Sequence, residues 1–235
     1  MKSAPVCDYS VNVFSPQIPF MKYALFVLLI VGLYTANYQL ALHMNKKNSR
    51  WEINKKPSTQ HYWDLFMAIS FSTVVFAFSN MVNTFNLFTI LGMVLGTFGM
   101  AFLGSLPGFQ FSLRGTTSAG AIPLVVVSIF LMLLFISIGF TAKRYVDCHM
   151  TMKLATYLLA PILFLASTFG AYMYQTKKED DKSVTYHLHH WFIVLPLVLF
   201  FRLPHHFLSS FTSGVLLGIF IDGVSRYGPS SVYVN

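Results

Sequence analysis

The string Tyr186-His187-Leu188-His189-His190-Trp191 sets three imidazoles against a long apolar run. On a helix His187 and His190 share a face at i, i+3, while His189 points elsewhere; on extended chain His187 and His189 share a side. Either pair suits a transition metal such as zinc, which imidazole binds in its neutral form. Two or three histidines with one carboxylate, Asp222 for instance, leave an open metal position for a water, the arrangement of hydrolytic zinc sites. The same residue types at a membrane face can relay protons or admit small cations. A third account is a belt of amphipathic rings, the histidines joining Trp191, Tyr62 and Trp63 at the lipid–water boundary. The three accounts stay open here.

No spacing assigns a catalytic residue. GxxxxGKS/T, HExxH, GxSxG and a GxGxxG leading into a helix are all absent, and no apolar run holds a lysine for a Schiff base. Asp64 and Asp222 are the acidic groups nearest the apolar runs. Burial there is costly for a lone carboxylate, so each needs a partner or water. Arg226, the loop lysines and the histidines are the candidates, and Asp222 and Arg226 stand at ion-pair spacing on a helix.

The elements that must position these residues follow from composition. The chain has 235 residues, 55% apolar and 10% charged. A soluble domain carries roughly 25% charged residues. A soluble domain, a disordered tail and a disulfide-rich module are therefore excluded, and an integral membrane protein remains. The formal charge is +8, but the basic residues lie in short segments between apolar runs, where they set topology and meet anionic headgroups. They do not indicate nucleic acid. The expected partners are the lipid bilayer and other membrane subunits.

A bilayer core takes about 20 apolar helical residues to cross. The candidate spans are 23–42, 62–79, 87–104, 121–141 and 154–174, followed by two short segments, 184–201 and 207–221. The first has no cleavage site after it and reads as a retained span. Residues 62–104 are too long for one helix, and Ser79, Asn80, Asn83 and Asn86 mark a hairpin. Pro161 is expected to kink the fifth span. The fold class predicted is all-α, a polytopic bundle of about seven spans forming one membrane domain over 1–235. The last two segments could instead be a re-entrant pair, giving six spans or fewer.

With seven spans, the loops around 43–61, 105–120 and 175–186 and the carboxyl terminus collect ten of the 16 Lys/Arg. By the positive-inside tendency that side is cytoplasmic and the amino terminus lies outside. Cys7 and Cys148 then share the outer side, either as a disulfide or as two thiols. If the last two segments are antiparallel spans, Asp222 returns to the face that holds His187–His190. His43, His61 and Asp64 arrive there too. His205 and His206 lie about 22 Å of helix away, at the opposite face with Arg202 and His149.

Small residues mark where helices touch. Gly92 and Gly96 form a GxxxG in the third span, and Ser210, Gly214, Gly218 and Asp222 recur every four residues in the last. Such stripes admit close backbone approach in lipid, as a dimer face, a substrate passage or the packing of these two helices on each other.

The closing stretch looks familiar as a whole. His187-Leu188-His189-His190-Trp191, then Arg202, Gly214 and Gly218, then Ile221-Asp222-Gly223-Val224-Ser225-Arg226-Tyr227-Gly228, resembles the end of eukaryotic multi-pass membrane proteins of undefined function. The likeness covers about a fifth of the chain. It implies that the histidine turn and the glycine stripe act as a unit, and it lends no catalytic role.

Three functions follow. A carrier or channel for a proton or small cation would line a polar path with His187, His190, Asp64 and Asp222, and would show a watery cavity. A metal-dependent enzyme acting on a lipid would gather at least three ligands round one metal position. A structural or assembly subunit would show neither.

Overall fold

The computed structural model describes residues 19–49, 51, 53–79, 81–106, 121–178, 185–186, 190–201, 206–228 and 233–234; at 83, 121–127, 130, 168–178, 185–186, 190–193, 206 and 233–234 the backbone alone is described. The fold is all-helical, in the order α1 (Phe20–Lys47), α2 (Ser58–Phe78), α3 (Met81–Thr84), α4 (Leu87–Gly104), α5 (Ala121–Asp147), α6 (Thr151–Lys178), α7 (His190–Leu197) and α8 (His206–Tyr227). A two-residue ladder joins Thr185–Tyr186 (β1) to Tyr233–Val234 (β2), antiparallel. Among the described residues four helices, α1, α2, α4 and α8, are long and apolar enough to cross a bilayer. Large apolar side chains point outward on these and on α5 and α6: Leu28, Phe66, Leu95, Phe135 and Leu163 are all exposed. An outer surface of that kind belongs in lipid, and the chain is an integral membrane protein.

The hairpin at residues 79–86 is set by its polar residues. Asn86 caps α4, its side chain accepting from Phe88 N and Thr89 N while Asn86 N donates to Thr89 Oγ1. This supplies acceptors to amide groups that have none within the helix. Pro161 lies inside α6 without ending it.

The two last segments differ from each other. α7 spans eight residues, about 12 Å, and so does not cross a bilayer. Pro196 sits within it, and the chain leaves through a turn whose Phe200 carbonyl accepts from Tyr157 Oη at 2.7 Å and Ser137 Oγ at 3.3 Å. α8 spans 22 residues, about 33 Å, and continues past the expected end at Ile221 because Asp222 and Arg226 find partners inside the bundle.

α8 is the centre. It lies parallel to α4, and the two touch backbone to backbone: a Cβ added at Gly92 would strike the Phe211 carbonyl, at Gly96 that of Val215, at Gly214 that of Thr89 and at Gly218 that of Met93. Thr97 Oγ1 donates across the seam to Gly218 O at 3.2 Å. α1 packs beside them with Phe26, Ile30 and Leu33 in the core, antiparallel to α2 through Tyr23–Phe76 at one end and Tyr34–His61 at the other. The end of α1, the start of α2 and the ends of α4 and α8 therefore meet at one end of the bundle. Trp51, buried against Ala41 and Ala101, folds the α1–α2 loop over it.

Candidate functional site

At that end the polar side chains of three helices and one loop converge. Asn37 lies in a stretch of α1 without a charge, and its amide must bond inside the bundle. Its Nδ2 donates to Asp222 Oδ1 and to Ser225 Oγ, both at 2.8 Å. Asp222 is also 3.6 Å from Arg226 one turn on. Lys56, from the loop before α2, makes a 2.7 Å ion pair with Asp64 in which neither side chain is exposed. Its remaining ammonium hydrogens go to the carbonyls of Val224 at 2.8 Å and Ser225 at 3.0 Å.

Those last two bonds belong to a larger pattern. A helix ends with four carbonyls that lack intrahelical donors. The last four carbonyls of α8 are those of Val224, Ser225, Arg226 and Tyr227, of which Val224 still accepts from Gly228 N at 2.9 Å. Lys56 Nζ serves the first two, Asn54 N the third at 3.0 Å, and Asn54 Nδ2 the fourth at 3.2 Å. A cation at a helix carboxyl end also faces the negative pole of the helix dipole. Burial lowers the Lys56 pKa, and the hydrogen bond and charge of Asp64 oppose that fall. Gly228 follows with φ +80°, and a Cβ there would come within 2.8 Å of Asp64 Oδ2. Glycine is required twice over, for the left-handed turn and for the close approach.

The cluster carries two acids and two bases, all buried. Two acceptors in it lack a hydrogen-bond donor among the described residues, Asp64 Oδ1 and Asn37 Oδ1. On the outer side of Asp64, His61 Nδ1 lies 3.0 Å from Tyr34 Oη, and Tyr38 packs edge-on to the imidazole with centroids 4.3 Å apart. His61 is half-buried, and Tyr34 and Tyr38 are buried.

Of the residues singled out in the sequence, Asp64, Asp222 and His61 lie in this cluster, while His43 on α1 is exposed and outside it. His187 and His189 lie outside the described residues, and for His190 only the backbone at the start of α7 is described. Among the described residues there is no group of three or more His, Cys, Asp or Glu able to hold a metal. Ser210 donates to Thr84 O at 3.0 Å and accepts from Asn86 Nδ2 at 3.3 Å, at the opposite end of α8 from Asp222. Gly92, Gly96, Gly214 and Gly218 form the α4–α8 seam. Cys148 is disulfide-bonded; Cys7, the other cysteine, is outside the described residues.

Asn37, Tyr34 and Asn54 do not stand out by motif, and Ser225 does so only within the closing string 221–228. The available signal for Asn37 is that its amide interrupts the uncharged run 23–42. No protein family, curated protein or solved structure matches the chain.

Proposed function

We propose that this membrane protein is a carrier or channel for a proton or small cation, with Asp64 as the group that takes up the ion and Lys56 as its fixed counter-charge. One observation carries the reading: a wholly buried carboxylate at the end of a spanning helix keeps an oxygen, Oδ1, with no donor among the described residues. Intramembrane ionisable groups are costly and mark ion pathways, and an unpaired carboxylate oxygen is an acceptor for a proton or a cation.

The orientation belongs to the same proposal. Tyr157 of α6 meets Phe200, next to the Phe201 carbonyl that Ser209 of α8 holds, whereas Phe164 meets Phe71, which also touches Phe220. α6 thus starts near the beginning of α8, and the turn with Cys148 before it lies at the end opposite Asp222. A disulfide belongs to an oxidising compartment, which leaves the polar cluster and the carboxyl terminus facing the cytoplasm, in keeping with the basic loops.

The test is proton entry into proteoliposomes carrying an internal pH dye, under a potassium diffusion potential. Wild-type protein should acidify the lumen and Asp64→Asn should slow this about tenfold or more. Wild-type vesicles that match protein-free ones in proton, sodium and potassium entry would overturn the reading. A structural or assembly subunit then stands instead, supported by the complete capping of α8 by Asn54 and Lys56.

A further inference from the structure

His61 and Asp64 stand at i, i+3 in the first turns of α2 and so share a helix face. Tyr34 of α1 lies against that face, its hydroxyl 3.0 Å from His61 Nδ1 and its ring centroid 6.0 Å from Lys56 Nζ, which in turn is 2.7 Å from Asp64 Oδ2. Tyr34 is 3% exposed and Asp64 1%, whereas His61 is half-buried. Tyr34 engages Nδ1, and Nε2 has no hydrogen-bond partner among the described residues. At the inner end stands the donorless Oδ1 of Asp64. A half-exposed base, a buried hydroxyl bonded to it and a buried acceptor thus lie in one cluster, with the Lys56 ammonium between the Tyr34 ring and Asp64.

We propose that His61 and Tyr34 relay protons between the aqueous face and Asp64. This rests on the reading of Asp64 as the ion-binding group and deepens it, naming the proton rather than a metal cation as the ion. Each passage balances. A proton from water forms an N–H bond at His61 Nε2, and the Nδ1 proton passes to Tyr34 Oη. The hydroxyl proton of Tyr34 leaves for Asp64 Oδ1, directly or through one bridging water. One proton enters, one O–H bond forms on Asp64, and His61 is left neutral in its other tautomer, with Nδ1 accepting from Tyr34. The charged and titratable neighbours are Lys56 beside Asp64 and Tyr38 against the imidazole; Asp222 and Arg226 are paired with each other, and Asp222 with Asn37.

The proteoliposome assay separates the two claims. Tyr34→Phe removes only the hydroxyl and should slow proton entry about tenfold or more; His61→Ala should do the same and recover with added imidazole. His43→Gln, exposed at the same end, should behave as wild type. If Tyr34→Phe and His61→Ala unfold at the wild-type temperature and carry protons at the wild-type rate while Asp64→Asn does not, the relay is wrong and the ion-binding reading stands. If Asp64→Asn also carries protons normally, both fall. Should His61→Ala not fold, the ¹⁵N resonances of His61 in the full chain decide. A change in tautomer balance between wild type and Tyr34→Phe supports the relay, and identical resonances overturn it.

Discussion

Lys56 directs its three ammonium hydrogens at three acceptors, one carboxylate and two main-chain carbonyls, so its loss and the loss of Asp64 should not cost the same. Lys56→Met leaves a buried carboxylate without its cation and the Ser225 carbonyl without its donor, while Val224 keeps the bond from Gly228 N. A fully broken buried pair costs about 3–5 kcal/mol, and the orphaned Ser225 carbonyl adds to it. Asp64→Asn keeps an acceptor near the ammonium and leaves the α8 cap in place. Denaturant unfolding in detergent should rank Lys56→Met well below Asp64→Asn, and equal midpoints would contradict the geometry. The acids were legible in the sequence because carboxylates beside apolar runs need partners, and Arg226 is set against Asp222 by helical spacing alone. The choice of Lys56 over its neighbour Lys55 was not, because it depends on how a loop turns over the ends of α1 and α8. Nor was Asn54, whose partners lie more than 170 residues along the chain.

For the helices, the same logic separates glycines that look alike. Gly92, Gly96, Gly214 and Gly218 each face the partner backbone, whereas Gly99, on the same helix as the first two, meets nothing within 4 Å. Gly96→Ala should force α4 and α8 apart at a cost of about 1–3 kcal/mol, while Gly99→Ala should be neutral or stabilising by up to about 1 kcal/mol through helix propensity. Unfolding midpoints of the two variants check this directly, and a similar loss in both would rule out the seam. The four-residue spacing of small residues marked the right faces of both helices. It could not say that the faces meet within one molecule, because a dimer would show the same stripe. The short α7 was harder to read. Residues 184–201 have the hydropathy of a marginal span, and the helix described within them covers 190–197, with Pro196 near its end and the Phe200 carbonyl held by side chains of α5 and α6.

The whole molecule has two unlike ends. One gathers Lys56, Asp64, Asp222 and Arg226, and the other holds Cys148 in a disulfide. The membrane class was legible from composition alone, since a tenth of charged residues cannot clothe a soluble surface of this size. For orientation the sequence offers the distribution of basic loop residues, from which a cytoplasmic cluster end is expected. Single cysteines introduced at exposed positions test it: Lys47→Cys, at the cluster end, should react with a membrane-impermeant maleimide only after cells are permeabilised, and Met152→Cys, near the opposite turn, should react in intact cells or sealed lumen-out vesicles. The reverse pattern would invert the assignment.

The backbone contact between α4 and α8 has a mechanical corollary. With main-chain atoms already touching at four glycines, neither rod can slide or roll on the other without opening a gap that no side chain would fill. The pair behaves as one rigid post, so any rocking within the bundle must be carried by the helices leaning on it, α1, α2 and α7.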